Sequence, residues 1–377
     1  MKLIHFVLLM LLGISFTKLR VLNLQKKCFL PQGRDTSTFG FSLAMSDDYL
    51  AVGDPEANRV VIYSRKESHR WVRTKEIVPP TDSTTHRIGS GFGYDLALDE
   101  DTLVIGAYSQ KQDVENAEDF QLNEPIVSTS GAVYQTNLGR DSIVKRLDDF
   151  KQGEIVGNVV AAGGGVVAFT SSKIEPEQPY NAINKIVVLV EGQRKFLPSP
   201  TDNRSWFDAD IAIHDKMLLA GSIAEGRDKA WLFNLDDEKS LVPHPIQTSA
   251  EDLVGNSVAL SKEFIVVSEK GGSRYSDIVG ASPKTLIERI NRDNRTIIDG
   301  HAEVSLDNKI LSRLRFGRVY YREANNLELF YLDDNATPRR ILKRENVKKA
   351  LVKNSLLTTV QEKSGKALLC IEPISSR

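Results

Sequence analysis

The sequence predicts an all-β protein in which four-stranded antiparallel sheets repeat along the chain. Residues 38–54, TFGFSLAMSDDYLAVGD, and residues 91–107, GFGYDLALDEDTLVIGA, repeat one pattern: two short strands joined by a polar turn. Apolar residues alternate with a period of two, and helical periodicity is nearly absent. Four short strands in a repeat of about 50 residues are typical of a β-propeller.

Each repeat contains four predicted strands, which we name A to D. In the first repeat they are FGFSLAM, YLAVGD, RVVIYSR and RTKEIVPP. Weaker copies of the A–B pattern begin at Gly157, Asp208 and Gly255. Strand D has its own pattern, a basic residue and an apolar pair usually followed by proline, as in TKEIVPP (74–80) and RKFLPSP (194–200). These patterns indicate that the strand order is constant from one repeat to the next.

Counting the repeats predicts a single seven-bladed β-propeller over residues 18–377. Five units lie within residues 38–297, a sixth within 301–345, and residues 347–373 supply only three strands. An N-terminal strand at about residues 19–31 would complete the seventh blade. Such closure removes the open sheet edge that could otherwise pair with another chain.

The two cysteines of the chain, Cys28 and Cys370, both fall in this composite blade. They lie on strands that should be neighbours. Because secreted proteins seldom retain free thiols, we predict a disulfide that fastens the ring. The alternative is a pair of buried free thiols.

Residues 1–17 have the pattern of a cleaved secretory signal peptide: Lys2, an apolar run and small residues near a cleavage point. A run of about a dozen apolar residues is shorter than the ~20 that span a bilayer, which disfavours the alternative of an uncleaved anchor. We therefore expect a secreted protein, glycosylated at the sequons of Asn203, Asn294 and Asn335. The formal net charge of -1 argues against nucleic acid as a partner.

Two short motifs carry a family resemblance. Phe39-Gly40 with Gly53-Asp54-Pro55, and Phe92-Gly93 with Gly106-Ala107-Tyr108, resemble the FG-GAP repeats of integrin alpha-subunit propellers and their relatives. The resemblance is good over residues 38–136 and faint over the rest of the chain. It implies a propeller that binds its partner through one face, formed by the B–C and D–A connections, which we call the loop face.

Many members of this family bind calcium in the A–B turn, and this sequence departs from them there. Its first two A–B turns are Ser46-Asp47-Asp48 and Asp99-Glu100-Asp101. Calcium takes about six to eight oxygen ligands, which a tight hairpin cannot supply. We therefore expect no cofactor, with a weak calcium site at Asp99 and Asp101 as the alternative.

The candidate binding residues lie in B–C connections and are mostly acidic, which favours a basic or polar patch on a partner protein. Two of these connections, at residues 110–129 and 171–185, are long, and long loops are often functional. The candidates are Asp54, Glu56, Arg59, Asp113, Glu115, Glu118, Asp119, Glu175, Glu177, Tyr180, Glu225 and Arg227.

No catalytic motif is present, so we expect a non-enzymatic module that binds an extracellular or cell-surface protein. One alternative is a propeller enzyme acting on glycans through channel carboxylates such as Asp208 and Asp210. A second alternative is a structural subunit of a larger extracellular assembly. A basic run, comprising Arg339, Arg340, Lys343 and Arg344, is either a charged edge strand or a contact for an anionic glycan or membrane surface.

Overall fold

A computed structural model describes twenty-one stretches of the chain, and the account below is confined to them. They are residues 26–29, 38–66, 70–80, 91–108, 131–140, 143–147, 154–175, 178–198, 206–223, 229–236, 244–246, 254–260, 264–269, 284–290, 297–305, 310–315, 318–323, 326–332, 338–353, 356–363 and 366–373. Within them the only helical element is a 3-10 turn, Pro55–Ala57. No helix in this part of the chain has the length and hydropathy needed to cross a bilayer.

The described strands form four-stranded antiparallel sheets, which confirms the predicted all-β class. The first strand of the chain is β1 (Lys27–Phe29). Sheet 1 contains β2 (Leu43–Met45), β3 (Tyr49–Asp54), β4 (Arg59–Arg65) and β5 (Trp71–Ile77). Sheet 2 contains β6 (Phe92–Asp99), β7 (Thr102–Ala107), β8 (Ala132–Asn137) and β9 (Lys145–Arg146).

Sheets 3 to 5 follow in the same order along the chain. Sheet 3 contains β10 (Glu154–Gly163), β11 (Val166–Glu175), β12 (Gln178–Val190) and β13 (Gln193–Pro198). Sheet 4 contains β14 (Trp206–His214), β15 (Met217–Ile223), β16 (Lys229–Asn234) and β17 (His244–Ile246). Sheet 5 contains β18 (Val254–Leu260), β19 (Phe264–Glu269), β20 (Lys284–Ile290) and β21 (Ile297–Ser305).

The last two sheets complete the described architecture. Sheet 6 contains β22 (Ile310–Arg315), β23 (Arg318–Glu323), β24 (Asn326–Leu332) and β25 (Pro338–Arg344). Sheet 7 contains β26 (Val347–Lys353), β27 (Leu356–Lys363), β28 (Lys366–Pro373) and β1. The predicted boundary between the fifth and sixth units was wrong, because β21 runs past residue 301 and pairs with β20 of sheet 5.

A β-bulge recurs near the start of strand A in sheets 2 to 5. The register shifts lie between Phe92 and Asp95, Val156 and Val160, Trp206 and Asp210, and Val254 and Ser257. In sheet 2 the bulge contains Gly93, whose φ of 89° is accessible to glycine but strained for other residues. In sheet 2 the Phe-Gly pattern seen in the sequence therefore marks a bulge that bends strand A.

Hydrophobic clusters fill the spaces between consecutive sheets from sheet 1 to sheet 5. Between sheets 1 and 2, the fully buried ring of Phe92 shares a cluster with Ile62 and Leu103. Similar clusters join sheets 2 and 3, 3 and 4, and 4 and 5. Burying a side chain of this size contributes about 1.5–3 kcal/mol, so stacking of sheets supplies the core.

Sheet 7 combines strands from both ends of the described chain. β1 pairs antiparallel with β28, and Cys28 lies opposite Cys370. The predicted disulfide joins these two residues across a sequence separation of 342. On the other side, the cluster that contains Phe39 and Met45 of the first repeat also contains Val360 of sheet 7. Sheet 7 therefore packs against sheet 1.

Candidate functional site

Three aromatic side chains lie together at the loop-face edge of sheets 1 and 2. The start of strand A and the end of strand B share this edge because the two strands are antiparallel. The ring centroid of Phe41 is 4.9 Å from that of Tyr94, which is 4.9 Å from that of Tyr108. We call these three residues the aromatic ladder. It extends from the first repeat onto the second.

The aromatic ladder is partly open to solvent. Phe41 is 42% exposed, one of four large apolar side chains exposed among the described residues. Burial raises the pKa of the Tyr94 hydroxyl, and Tyr108 and Asp95 raise it further. The Tyr94 hydroxyl therefore remains neutral at physiological pH. Tyrosine is among the residue types enriched at the energetic hot spots of protein interfaces, and phenylalanine is enriched in interfaces relative to the rest of the surface.

The first B–C connection lies beside Phe41. The backbone N–H of Phe41 donates to the Thr38 carbonyl at 2.9 Å, and the Thr38 hydroxyl donates to Oδ1 of Asp54 at 2.9 Å. Nε of Arg59 donates to Oδ2 of Asp54 at 3.0 Å. The N–H of Glu56 donates to the Thr38 hydroxyl at 3.1 Å, and the Glu56 side chain is exposed.

This network engages two of the predicted binding residues within sheet 1. The Asp54 carboxylate is completely buried, and the Arg59 side chain is only 12% exposed. Arg59 also faces Glu76 of β5, with Nη1 to Oε2 at 3.4 Å. Asp54 and Arg59 therefore hold the connection in shape, because their charged groups are already paired within sheet 1. Among the predicted residues of this connection, Glu56 is the one that faces solvent.

The third B–C connection is shorter than the sequence suggested. β11 and β12 continue the sheet far into residues 171–185, with Lys173 opposite Ile183. The backbone of Glu175 ends β11, and that of Tyr180 lies within β12, so neither belongs to a long loop. Other predicted residues lie outside the described stretches: Asp113, Glu115, Glu118, Asp119, Glu177, Glu225, Arg227, and the sequon residues Asn203, Asn294 and Asn335.

Two buried carboxylates occupy equivalent positions in strand A of sheets 2 and 4. Oδ2 of Asp95 accepts the N–H of Val160 in sheet 3 at 2.9 Å. Oδ2 of Asp210 accepts the N–H of Val258 in sheet 5 at 3.0 Å, and its Oδ1 accepts the N–H of Ile211 at 3.0 Å. Each carboxylate thus ties strand A of one sheet to strand A of the next. The Asp208 side chain lies outside the described part of the chain.

The A–B turns lie at the opposite edge of the sheets from the aromatic ladder. Oδ2 of Asp99 accepts the N–H of Gly165 in the A–B turn of sheet 3 at 3.0 Å. The N–H of Leu138 donates to the carbonyl of Asp101 at 2.8 Å. No group of three or more His, Cys, Asp or Glu side chains within the described stretches is arranged to hold a metal ion.

The basic run near the C-terminus is partly engaged in an ion pair. Nε and Nη2 of Arg344 donate to the two carboxylate oxygens of Glu372 at 2.8 and 2.6 Å. This bidentate contact raises the pKa of Arg344 and joins sheet 6 to sheet 7. Lys343 is exposed, and Arg339 and Arg340 lie in β25. The Arg344 guanidinium therefore has a structural partner within the chain.

Comparison with known proteins supports the fold. No protein-family model and no curated protein sequence matches the chain significantly. The WD40 beta propeller domain of Doa1 is 12% identical, with a TM-score of 0.50 and coverage of 93% of this chain and 96% of that chain. BamB from Moraxella catarrhalis is 9% identical, with a TM-score of 0.46 and coverage of 92% and 98%.

Dipeptidyl peptidase 4 from Porphyromonas gingivalis is 10% identical, with a TM-score of 0.46. The match covers 86% of this chain but only 56% of that peptidase, so this chain spans little more than half its length. Such low identities carry no information about activity or ligands. The likeness to the Doa1 domain, together with the four-stranded antiparallel sheets, supports a β-propeller fold.

Proposed function

We propose that the protein is a secreted, non-enzymatic, FG-GAP-like propeller that binds an extracellular or cell-surface protein through its loop face. In this proposal seven blades close into one ring. The pairing of β1 with β28 and the packing of sheet 7 against sheet 1 support closure. The signal-like residues 1–17 and the disulfide support an oxidising extracytoplasmic location.

The observation that carries the binding proposal is the aromatic ladder. Exposure of a phenylalanine ring costs free energy in a lone protein, because apolar surface in water is unfavourable. Phe41 nevertheless lies 42% exposed beside two tyrosine side chains, at the edge where the B–C and D–A connections emerge. A partner that covers these rings would recover that free energy. Glu56, exposed beside them, favours a basic or polar group in the partner.

The buried carboxylates give no support to the glycan-processing alternative. Both oxygens of Asp210 accept backbone N–H groups, and its side chain is 7% exposed. A general acid or nucleophile must reach the substrate within about 3 Å. The hydrogen bonds of Asp210 argue for a structural role instead.

The proposal is tested by probing a panel of purified extracellular and cell-surface ectodomains with the mature, glycosylated protein. We expect at least one ectodomain to bind, and Phe41→Ser to weaken that binding about tenfold or more, since one central aromatic contributes about 2 kcal/mol. The matched control is Asp47→Lys, an exposed site in the A–B turn at the opposite edge of sheet 1, and it should leave the affinity unchanged.

Three results would count against loop-face binding. The first is a panel in which no ectodomain binds. The second is an ectodomain whose binding is abolished by Asp47→Lys but unaffected by Phe41→Ser. That result would place the contact on the face that carries the A–B turns. The third is turnover of a glycan that Asp210→Asn eliminates, which would favour the enzyme alternative.

A further inference from the structure

A second surface lies between the outer strands of sheets 1 and 2. Ile62 of β4 and Ile77 of β5 belong to the hydrophobic cluster that joins the two sheets, and so does Tyr134 of β8. Val144, just before β9, packs on the same cluster. These side chains identify the face that each sheet turns toward the other.

Strand register assigns two polar side chains of sheet 2 to this face. Arg146 of β9 lies opposite Tyr134. Thr136 of β8 lies opposite Leu103, which belongs to the same cluster. Residues directly opposite each other in antiparallel strands project from the same side of the sheet, so both polar side chains project toward sheet 1. Lys145 projects from the other side of β9, because neighbouring residues of a strand alternate.

Each of these two side chains has a buried polar atom without a hydrogen-bond partner. Nε of Arg146 and the hydroxyl oxygen of Thr136 are shielded from solvent, and neither makes a hydrogen bond within the described part of the chain. Arg146 as a whole is half-buried, and Thr136 is 3% exposed. A buried N–H without an acceptor costs free energy, because it has given up its hydrogen bond to water. The Arg146 guanidinium is therefore able to donate to an acceptor that the described residues do not supply.

A second cation lies on the facing wall. Lys75 of β5 is exposed and lies opposite Ile62, so it projects toward sheet 2. The acid next to it, Glu76, projects from the other side of β5, where it pairs with Arg59 and Arg73. Within the described stretches neither cation that faces this space forms an ion pair. We call this surface the inter-sheet cleft, defined by Lys75, Ile77, Thr136, Val144 and Arg146.

The gap between sheets 2 and 3 shows how an arginine of an outer strand is held when the chain supplies an acceptor. Nη2 of Arg194, in β13 of sheet 3, donates to the carbonyl of Leu147, directly after β9 of sheet 2, at 2.7 Å. Arg194 thus spans that gap and is engaged within the chain. Arg146 has no such acceptor among the described residues, so its N–H groups remain open to an acceptor on a ligand.

We propose that the inter-sheet cleft binds a carboxylate on an extended, partly apolar segment of a partner protein. The carboxylate would accept N–H groups of Arg146 in the bidentate geometry that guanidinium and carboxylate share, and Lys75 would attract it from the rim. Val144, half-buried at the edge of the cluster, would contact an apolar side chain beside the acid. β5 and β9 are the last strands in the order of their sheets, so the cleft opens outward along both and admits an extended segment.

The number of cations favours a carboxylate over a phosphate group as the occupant. A phosphate monoester carries close to two negative charges and is typically bound by clusters of arginines. The described walls of the cleft contain one guanidinium, that of Arg146, and one ammonium, that of Lys75. The inter-sheet cleft is separate from the loop face, and the two proposals stand independently.

A display library of short random peptides selected on the mature protein tests the assignment. We expect the enriched peptides to combine an Asp or Glu residue with an apolar neighbour. Fluorescence anisotropy of a labelled enriched peptide should show that Arg146→Met raises the Kd about tenfold or more, equivalent to about 1.4 kcal/mol. The matched control, Lys145→Met, removes the same charge from the opposite side of β9, and it should leave the Kd within about twofold.

Thermal unfolding of the free variants separates loss of binding from loss of fold. Because the Nε–H of Arg146 has no acceptor within the described residues, Arg146→Met should leave the Tm unchanged or raise it. If this variant nevertheless fails to fold, Lys75→Gln at an exposed position replaces it and should raise the Kd about threefold.

Several results would overturn the proposal. They are a selection that enriches no peptide, enriched peptides without acids, binding that the cleft variants do not affect, and equal losses for Arg146→Met and Lys145→Met, which would indicate attraction to net charge alone. If phosphoserine in place of the acid tightened binding of the peptide about tenfold or more, the cleft would be assigned to a phosphate group instead. Enriched peptides sensitive only to Phe41→Ser would belong to the loop face and would leave the cleft without a ligand.

Discussion

At the scale of single residues, buried carboxylates connect one sheet to the next. Asp95 and Asp210 are 8% and 7% exposed, and each accepts a backbone N–H from strand A of the following sheet. A carboxylate is costly to bury unless hydrogen bonds compensate it. The sequence drew attention to Asp210 only as a candidate acid of a channel and did not single out Asp95. Asp95 and Asp210 fall at the same position when the strand-A sequences are aligned, and that alignment could have identified both residues.

Replacing Asp95 by alanine should destabilise the protein by about 1–3 kcal/mol, because the buried N–H of Val160 loses its acceptor. Asp95→Asn keeps an acceptor oxygen and should cost less. Urea unfolding of both variants, monitored by tryptophan fluorescence, measures the difference. Equal losses for the two variants would mean that the Val160 hydrogen bond contributes little.

At the scale of elements, glycines allow adjacent sheets to approach closely at the bulge. A Cβ on Gly53 would lie 2.2 Å from the carbonyl oxygen of Gly93 in the next sheet and 2.1 Å from the Ser42 hydroxyl oxygen. That hydroxyl donates to the same carbonyl at 2.6 Å. Gly106 has the same relation to Gly157, at 2.2 Å. In the first two repeats the second glycine of the pattern is therefore an inter-sheet contact point.

Gly53→Ala should accordingly lower stability by about 1–3 kcal/mol, the usual cost of forcing extra volume into a packed site. Chemical denaturation of the variant measures this. At an open, unstrained site the same substitution stabilises by about 0.4–1 kcal/mol, through the unfolded chain. A neutral or stabilising result would therefore contradict the close packing of sheets 1 and 2.

At the scale of the whole molecule, the disulfide and β1 join the two ends of the described chain. The chain-entropy formula gives about 6 kcal/mol for a loop of this length, and typical disulfides contribute about 2–4 kcal/mol. The bond lies in a strand pair only three residues long, Lys27 to Phe29 against Leu369 to Ile371. So short a pairing has few hydrogen bonds of its own.

We therefore expect the Cys28→Ser/Cys370→Ala variant to lose about 2–5 kcal/mol of unfolding free energy. Calorimetry of oxidised protein, reduced protein and the double variant measures the loss. Reduction of the native protein should reproduce the effect of the variant and should leave the variant itself unchanged. Identical unfolding of all three samples would show that sheet 7 holds without the covalent bond.

The sequence predicted which segments form strands better than it predicted where those strands begin and end. Period-two alternation and polar turns located strands A and B of the first two repeats, because those signals are local. The lengths of β11 and β12 were missed, since SSKIEPEQPYNAINK contains the proline and polar residues typical of loops and its strand pairing is set by the partner strand. The fifth and sixth units were divided wrongly for a similar reason: β21 is assigned by pairing with β20, which the local sequence does not encode.

The sequence by itself determined the all-β class, the four-stranded repeat and the pairing of Cys28 with Cys370, because repetition, alternation and a cysteine count are visible in a linear chain. Only the tertiary structure decided which side chains are buried and which meet. It placed Asp54 and Arg59 in a buried ion pair and brought Phe41, Tyr94 and Tyr108 into one ladder. The ladder joins residues from two sheets, and the distance from Phe41 to Tyr94 depends on how those sheets stack.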